Sequence, residues 1–442
     1  MSTRSPSFAA AGPDGGAWAC YRFGRSRNNK MSTKPKLSFL AILGPGLLLA
    51  ATGVGGGDLA TATFVGGVLG TAVLWAIALG AFMKFVVTEG LARWQLATGQ
   101  TILEGAVHRL GPVVIWIFLP YFLLWSFFVG SAQMSANGVA LHALIPVFDN
   151  ATDGKIAFGV VSSLVGLVIV RRGGYRGFEV AMKICIGVMF ATVALTAVAL
   201  WPGTGEVLRG LFVPTVPRAD PESIVWTVSL IGGIGGTLTV LSYGYWLREE
   251  GRTSPDDLRT CRIDLAASYF MMALFGILMI IVGQTVKVEG EGTAMLVVLS
   301  DRLGEELGPA GKWLFLAGTF GTVFSSLLGV WQATPYLFAE CWRLGVSRDT
   351  KSVDTAAPPY RWFLLVLAIV PMLGLFASFR DVQQIYTFIG AYIFPTLALV
   401  LVVFNSRSAW VGQRFKNRPM TVVALAGVLV FFTWLAVENI QT

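Results

Sequence analysis

The chain has 442 residues, 55% of them hydrophobic and 13% charged, whereas soluble domains carry about 25% charged residues. That deficit excludes a water-soluble globule. The formal net charge of +8 does not point to nucleic acid, because the basic residues stand in short loops beside apolar blocks, where they set membrane topology. Cys20, Cys185, Cys261 and Cys341 are far apart with no CxxC pair, so neither a disulfide framework nor a zinc site is implied.

Residues 1–36 read as a disordered cytoplasmic tail. Arg4, Arg22, Arg25, Arg27 and Lys30 lie among Gly, Ser and Pro, and no apolar run is long enough for a signal-peptide core. Met31 opens MSTKPKLSFLAILGPGLLLA, a natural start for a bacterial membrane protein. Apolar blocks of about 20 residues, the length a helix needs to cross the hydrocarbon, then predict an all-α integral membrane protein with eleven transmembrane helices. They run roughly 38–70, 72–92, 112–143, 155–170, 178–201, 222–247, 263–286, 311–340, 361–378, 382–405 and 419–437. The stretch 293–307 is too short to cross and reads as an external surface helix. With the N-terminus inside, seventeen Lys and Arg fall in cytoplasmic loops and seven in the opposite ones, which satisfies the positive-inside rule. Asn150-Ala151-Thr152 matches an N-glycosylation pattern, read here as a chance match.

Two spans are interrupted by glycine. Span one contains Gly53, Gly55, Gly56 and Gly57, followed by Asp58, and span six contains Gly232, Gly233, Gly235 and Gly236, followed by Thr237. Each Gly costs roughly 0.8–1 kcal/mol against Ala inside a helix, so four within five residues unwind it. Breaks in the first span of each of two five-span halves are the mark of an inverted-repeat transporter with its site at the bilayer midplane. The halves are residues 37–201 and 222–405, with 419–437 as an extra span. The predicted substrate-binding set is Gly55, Gly56, Gly57, Asp58, Gly235, Gly236, Thr237, Thr239 and Ser242, with Asp58 as the metal ligand. An ionisable residue at membrane depth is functional by default, and Lys84, midway along span two, is expected to pair with Asp58. Glu89, Arg93 and Glu249, near helix ends, are read as coupling or gating groups. His108 and His142 fall on opposite sides of the membrane, so no paired-His metal site forms. No phosphate loop, nucleophile elbow or dinucleotide fingerprint has the strand and helix context it requires. The protein is therefore read as a transporter in a bacterial inner membrane, not an enzyme, without a cofactor. A channel is the lesser alternative.

The run Gly44-Pro45-Gly46-Leu47-Leu48-Leu49-Ala50 before the first break resembles the Nramp family of divalent metal transporters. So do Ala92-Arg93 and Ala97-Thr98-Gly99 at the end of span two, and Ala317-Gly318, Ser325-Ser326 and Gly329 in span eight. The resemblance covers residues 37 to about 437. It implies a LeuT-type arrangement of two inverted five-helix repeats plus one helix, and import of Mn²⁺ or Fe²⁺ driven by protons. The family's motifs depart here. Its span-one Asp-Pro-Gly-Asn falls on Gly55, Gly56, Gly57 and Asp58, which moves the carboxylate three residues. Its span-six Met-Pro-His falls in Thr239-Val240-Leu241-Ser242-Tyr243, and its span-three acids in Val129-Gly130-Ser131-Ala132-Gln133-Met134-Ser135. Two readings follow. A divalent cation would use Asp58, backbone carbonyls and hydroxyls, with hard ions favoured by loss of the thioether. A small anion, such as bicarbonate or a carboxylate, would use exposed N–H groups and Lys84.

Overall fold

The structure is a computed structural model and describes residues 44–217, 220–285, 293–347 and 353–441. The expected N-terminal tail lies outside these residues. Every described element is helical. The order is α1 Pro45–Gly53, α2 Gly56–Leu69, α3 Leu74–Thr98, α4 Ile102–Leu110, α5 Val113–Leu144, α6 Ala151–Ala199, α7 Thr204–Phe212, α8 Pro221–Gly233 and α9 Tyr243–Glu249. Then come α10 Leu258–Gly283, α11 Thr293–Trp342, α12 Pro358–Ile369, α13 Phe379–Ala391, α14 Ile393–Ser406, α15 Ser408–Val411 and α16 Pro419–Gln441.

Nine helical stretches among the described residues are long and apolar enough to cross a membrane. The two longest, Gly56–Thr98 with 43 residues and Ala151–Ala199 with 49, reach more than twice the roughly 20 residues that one crossing needs. Each is interrupted by a glycine at positive φ, Gly70 at 61° and Gly174 at 56°, a conformation that other residues adopt only at a cost. The sequence places an open loop between residues 170 and 178. The structure instead continues the helix to either side of Gly174, because arginine is a good helix former and one glycine suffices for the break. The segment 293–307, expected as a surface helix, is helical and forms the first part of α11, set off from the rest by Gly308 at φ 75°.

Local signals account for several helix starts. Thr101 and Glu104 form a reciprocal capping box at α4: Thr101 Oγ1 accepts from the Glu104 amide at 3.1 Å, and Glu104 Oε2 accepts from the Thr101 amide at 2.7 Å. Asp220 accepts from the Ser223 amide at 2.7 Å at the start of α8. Asn150 Oδ1 accepts from the Thr152 amide at 2.9 Å, so the Asn-Ala-Thr triplet is the N-cap of α6. The core lies where α11 packs on α5 and α6 and where α10 packs on α2 and α3, with Trp94, Trp125, Trp246 and Trp331 fully buried.

Candidate substrate site at two broken helices

Both predicted breaks are present. Helix α1 ends at Gly53, Val54 and Gly55 are extended, and α2 begins at Gly56. Helix α8 ends at Gly233, Gly235 and Gly236 take φ of 89° and 78°, and a 3₁₀ turn over Leu238–Ser242 leads into α9. The breaks lie against each other. A Cβ on Gly53 would stand 3.1 Å from the Gly235 carbonyl carbon and 3.3 Å from the Gly236 nitrogen, so glycine there allows two unwound backbones to touch.

Backbone groups freed at membrane depth require partners, and the surrounding side chains supply them. Ser325 and Ser326 of α11 donate to the Ala51 and Thr52 carbonyls at 3.0 and 2.8 Å, satisfying the C-terminal end of α1. The N-terminal end of α1 rests on α10, where the Gly46 amide donates to Asp264 Oδ2 at 2.8 Å. Tyr243 and Arg252 donate to the same carboxylate at 3.0 and 3.4 Å. Lys84 is fully buried and donates to the Gly236 and Gly233 carbonyls at 2.6 and 3.2 Å, with the Phe394 ring 5.0 Å away. Its ammonium therefore occupies the negative end of half-helix α8.

Asp58 divides its two oxygens. Oδ2 accepts from the Gly55 amide at 3.0 Å and closes the first turn of α2, while Oδ1 is buried with no hydrogen-bond partner beside Gly233. The expected Asp58–Lys84 ion pair is not made within 4.0 Å among the described residues. The two groups share the region and feel each other's charge, but helix-end carbonyls take the ammonium and a helix-start amide takes the carboxylate. Thr237 accepts from Trp125 Nε1 at 3.1 Å and donates to Tyr386 at 3.5 Å. Thr239 lies beside Gly236. Ser242 is buried with an unpartnered hydroxyl, and no hydrogen bond links Thr239 or Ser242 to Asp58 among the described residues.

The groups read as coupling or gating lie near helix ends, away from the breaks. Glu89 binds Arg262 at 2.7 Å and Arg93 at 3.3 Å at the Thr98 end of α3. Glu249 is exposed and accepts from Tyr336. A different cluster stands beside that end. Glu104 on α4 meets Arg248 of α9 at 2.8 Å and Arg343 beyond α11 at 2.5 Å, and Thr101 donates to the buried Glu340 at 2.7 Å. Burial pushes the Glu104 carboxyl up, but Arg248, the Thr101 amide and Arg343 outweigh it and hold the group below its usual range.

Sequence reasoning missed several residues at the breaks. Gln133 of α5 and Gln383 of α13 flank Gly55 to Gly57; Gln383 donates to the Ala132 carbonyl at 2.9 Å, and Gln133 Oε1 is buried without a partner. Tyr386 of α13 lies within electrostatic reach of Asp58, and Met272 Sδ fills the space beside Gly53 and Gly235. The four-residue spacing of Gln133 and Asn137 on an apolar helix was a usable signal, as was the intramembrane carboxylate Asp264. A small cavity of about 10 Å³ lies at Gly56, room for about one water, and another of about 20 Å³ lies between Gln95 and Glu340.

The family profile described as "Natural resistance-associated macrophage protein-like" matches residues 46–442. Natural resistance-associated macrophage protein 1 of Ovis aries is 22% identical over 88% of this chain and 76% of its own length. The divalent metal cation transporter MntH of Chromohalobacter salexigens is 26% identical over 46% of each chain. The chain spans only 34% of natural resistance-associated macrophage protein 2 of Mus musculus, at 22% identity. Among solved structures, a mutant of the manganese transporter of Eremococcus coleocola superposes with a TM-score of 0.73 at 15% identity, covering 92% of this chain and 87% of that one. MhsT in complex with L-phenylalanine gives 0.56 at 15% identity, over 88% and 98%. The fold is that of these two structures, LeuT-type with helices 1 and 6 broken, and by the family match the chain belongs to the Nramp family.

Proposed function

We propose that this chain is a secondary-active transporter, not an enzyme, and moves a divalent metal cation by alternating access. The observation that carries the reading is the division of labour at Asp58, one oxygen holding the break and the other buried, unbonded and beside the second break. No cluster of three or more His, Cys, Asp or Glu that could hold a metal exists among the described residues. The cation is therefore bound by one carboxylate with neutral oxygens, from the Gly233 and Gly236 carbonyls, Gln133 and Thr237, and retains part of its water. That is how hard ions such as Mg²⁺ are held when few charges are available. The family's named members carry divalent metals or manganese, which supports the same reading.

Lys84 then acts as a tethered counter-ion. With no metal bound, its ammonium satisfies the α8 carbonyls; a metal entering the site takes those oxygens and displaces the ammonium. The anion alternative gains nothing from this geometry, since the charge that would attract an anion is already seated on carbonyls. The proposed frame is eleven crossings, with repeats at 37–201 and 222–405, an extra helix at 419–437 and a cytoplasmic N-terminus in a bacterial inner membrane. The test is equilibrium binding of radiolabelled Mg²⁺ and Mn²⁺, and of bicarbonate, to the purified protein. Saturable metal binding that depends on Asp58 is expected; saturable bicarbonate binding with no metal binding would overturn the proposal.

A further inference from the structure

A cleft of about 570 Å³ opens where α3, α10 and the segment leading into α16 meet, away from the broken helices. One side of it is strongly basic. Arg93, Arg259, Arg262, Arg414, Lys416 and Arg418 face only Glu89 and Asp256. Both acids are already engaged, Glu89 by Arg93 and Arg262 and Asp256 by Arg414 at 3.1 Å. Arg93 also donates to the Phe415 carbonyl at 3.2 Å and to Asn417 Oδ1 at 2.8 Å, and it is repelled by Arg262 and Arg418. Arg259, Lys416 and Arg418 have no ion-pair partner among the described residues and are exposed. The cleft thus has an excess of positive charge that its own acids leave uncompensated.

Further along α3 and α16 from these charges the lining is apolar, with Phe82, Phe85, Val86, Met420 and Ala424. Phe82 is 54% exposed and Met420 85% exposed, both on helices whose outer faces meet the hydrocarbon. The cleft therefore presents guanidinium and ammonium donors at one end and opens along two membrane helices at the other. A free inorganic anion would use only the first half. Guanidinium groups bind phosphate oxygens through paired, charge-assisted hydrogen bonds, and basic pockets at the membrane surface attract anionic lipid headgroups.

We propose that this cleft binds an anionic phospholipid of the surrounding bilayer, its phosphate between Arg259, Lys416 and Arg418 and its acyl chain along Phe82 and Met420. The lipid would bridge α16 to α3 and α10, neutralising a junction that is otherwise held together against repulsion.

Native mass spectrometry of the full chain in detergent, titrated with phosphatidylglycerol, phosphatidylcholine or inorganic phosphate, tests this. Phosphatidylglycerol is expected to remain bound, phosphatidylcholine to bind much more weakly, and inorganic phosphate not to displace the lipid. Each basic residue near a lipid surface is worth about fivefold in affinity. The triple variant Arg259→Gln, Lys416→Gln, Arg418→Gln should therefore bind phosphatidylglycerol about 100-fold more weakly, while Arg259→Lys with Arg418→Lys retains it. If the triple variant does not fold, Arg418→Gln alone is read the same way, with a loss of about fivefold. Unchanged binding in the folded variants, equal binding of phosphatidylcholine, or displacement by inorganic phosphate would each overturn the proposal.

Discussion

Replacing Lys84 by methionine keeps the unbranched chain, one atom shorter, and removes its charge, and so measures what the tethered ammonium does. In the structure that ammonium makes two hydrogen bonds to helix-end carbonyls, at 2.6 and 3.2 Å. Hydrogen bonds to charged groups contribute about 1.5–3 kcal/mol each, so a cation that takes the same carbonyls must displace roughly 3–6 kcal/mol of contacts. Much of this is regained when the freed ammonium finds other partners or water. A net relief of about 1.4–3 kcal/mol remains, which is about 10- to 150-fold in Kd. Lys84→Met is therefore expected to bind Mg²⁺ and Mn²⁺ at least tenfold more tightly by calorimetry and to turn over more slowly in proteoliposomes, because release is no longer assisted. Leaving two carbonyls without a donor costs about 1–3 kcal/mol each, offset by no longer burying a charge, so the melting temperature in detergent should change little. Unchanged metal affinity and turnover in a folded variant would refute the displacement argument, and loss of metal binding would reverse it.

Asp58→Asn should fold and lose saturable metal binding and flux, because Asn keeps an acceptor for the Gly55 amide but no negative charge; wild-type flux would remove Asp58 from the site. Ser325→Ala with Ser326→Ala frees the Ala51 and Thr52 carbonyls at membrane depth and should destabilise the protein by about 1–3 kcal/mol per bond. Thermal melting in detergent reads this, and an unchanged midpoint would show that other donors serve those carbonyls. Gly235→Ala places a Cβ 3.0 Å from the Tyr269 ring at φ 89°. It should cost about 1–2 kcal/mol in backbone strain alone and reduce transport, whereas wild-type flux would show that the second break tolerates side chains. Glu104→Gln removes the charge that holds Arg248 and Arg343. It should raise hydrogen exchange in α4, and unaltered exchange would show that the cluster does not clamp that end.

The two breaks were legible because four glycines crowded into five residues of an apolar span weaken the helix beyond what close packing alone requires, and the family resemblance was carried by short motifs before the first break, at the end of span two and in span eight. Asp58 and Lys84 were legible as costly charges at depth. Their partners were not, because a side chain on one span meets backbone atoms on another only after the whole bundle has packed. Lys84 illustrates this: sequence offers a carboxylate as its partner, while the fold offers the carbonyl end of α8. The roles of Ser325, Ser326, Gln133 and Gln383 escaped for the same reason, since a neutral polar residue in a membrane helix reads as packing until the groups it satisfies are known. Glu89 and Arg93 sit together as their four-residue spacing suggests, in a cleft where Glu89 also meets Arg262. The clamp at Glu104 was hidden because residues 102–110 looked like part of a loop.

Gly53 and Gly235 touch through bare backbone, with no side chain interposed. Two segments in such contact have nothing to unlock before they slide or roll past each other, unlike interdigitated helices, whose ridges must ride over one another. Under the proposed function, relative movement can therefore begin at the breaks themselves, with the polar contacts of Ser325, Ser326 and Asp264 as restraints. The same bareness is a vulnerability. Any mutation that adds even a methyl group at this junction becomes a wedge, and it is expected to hold the transporter in one conformation while leaving the ion-binding atoms in place.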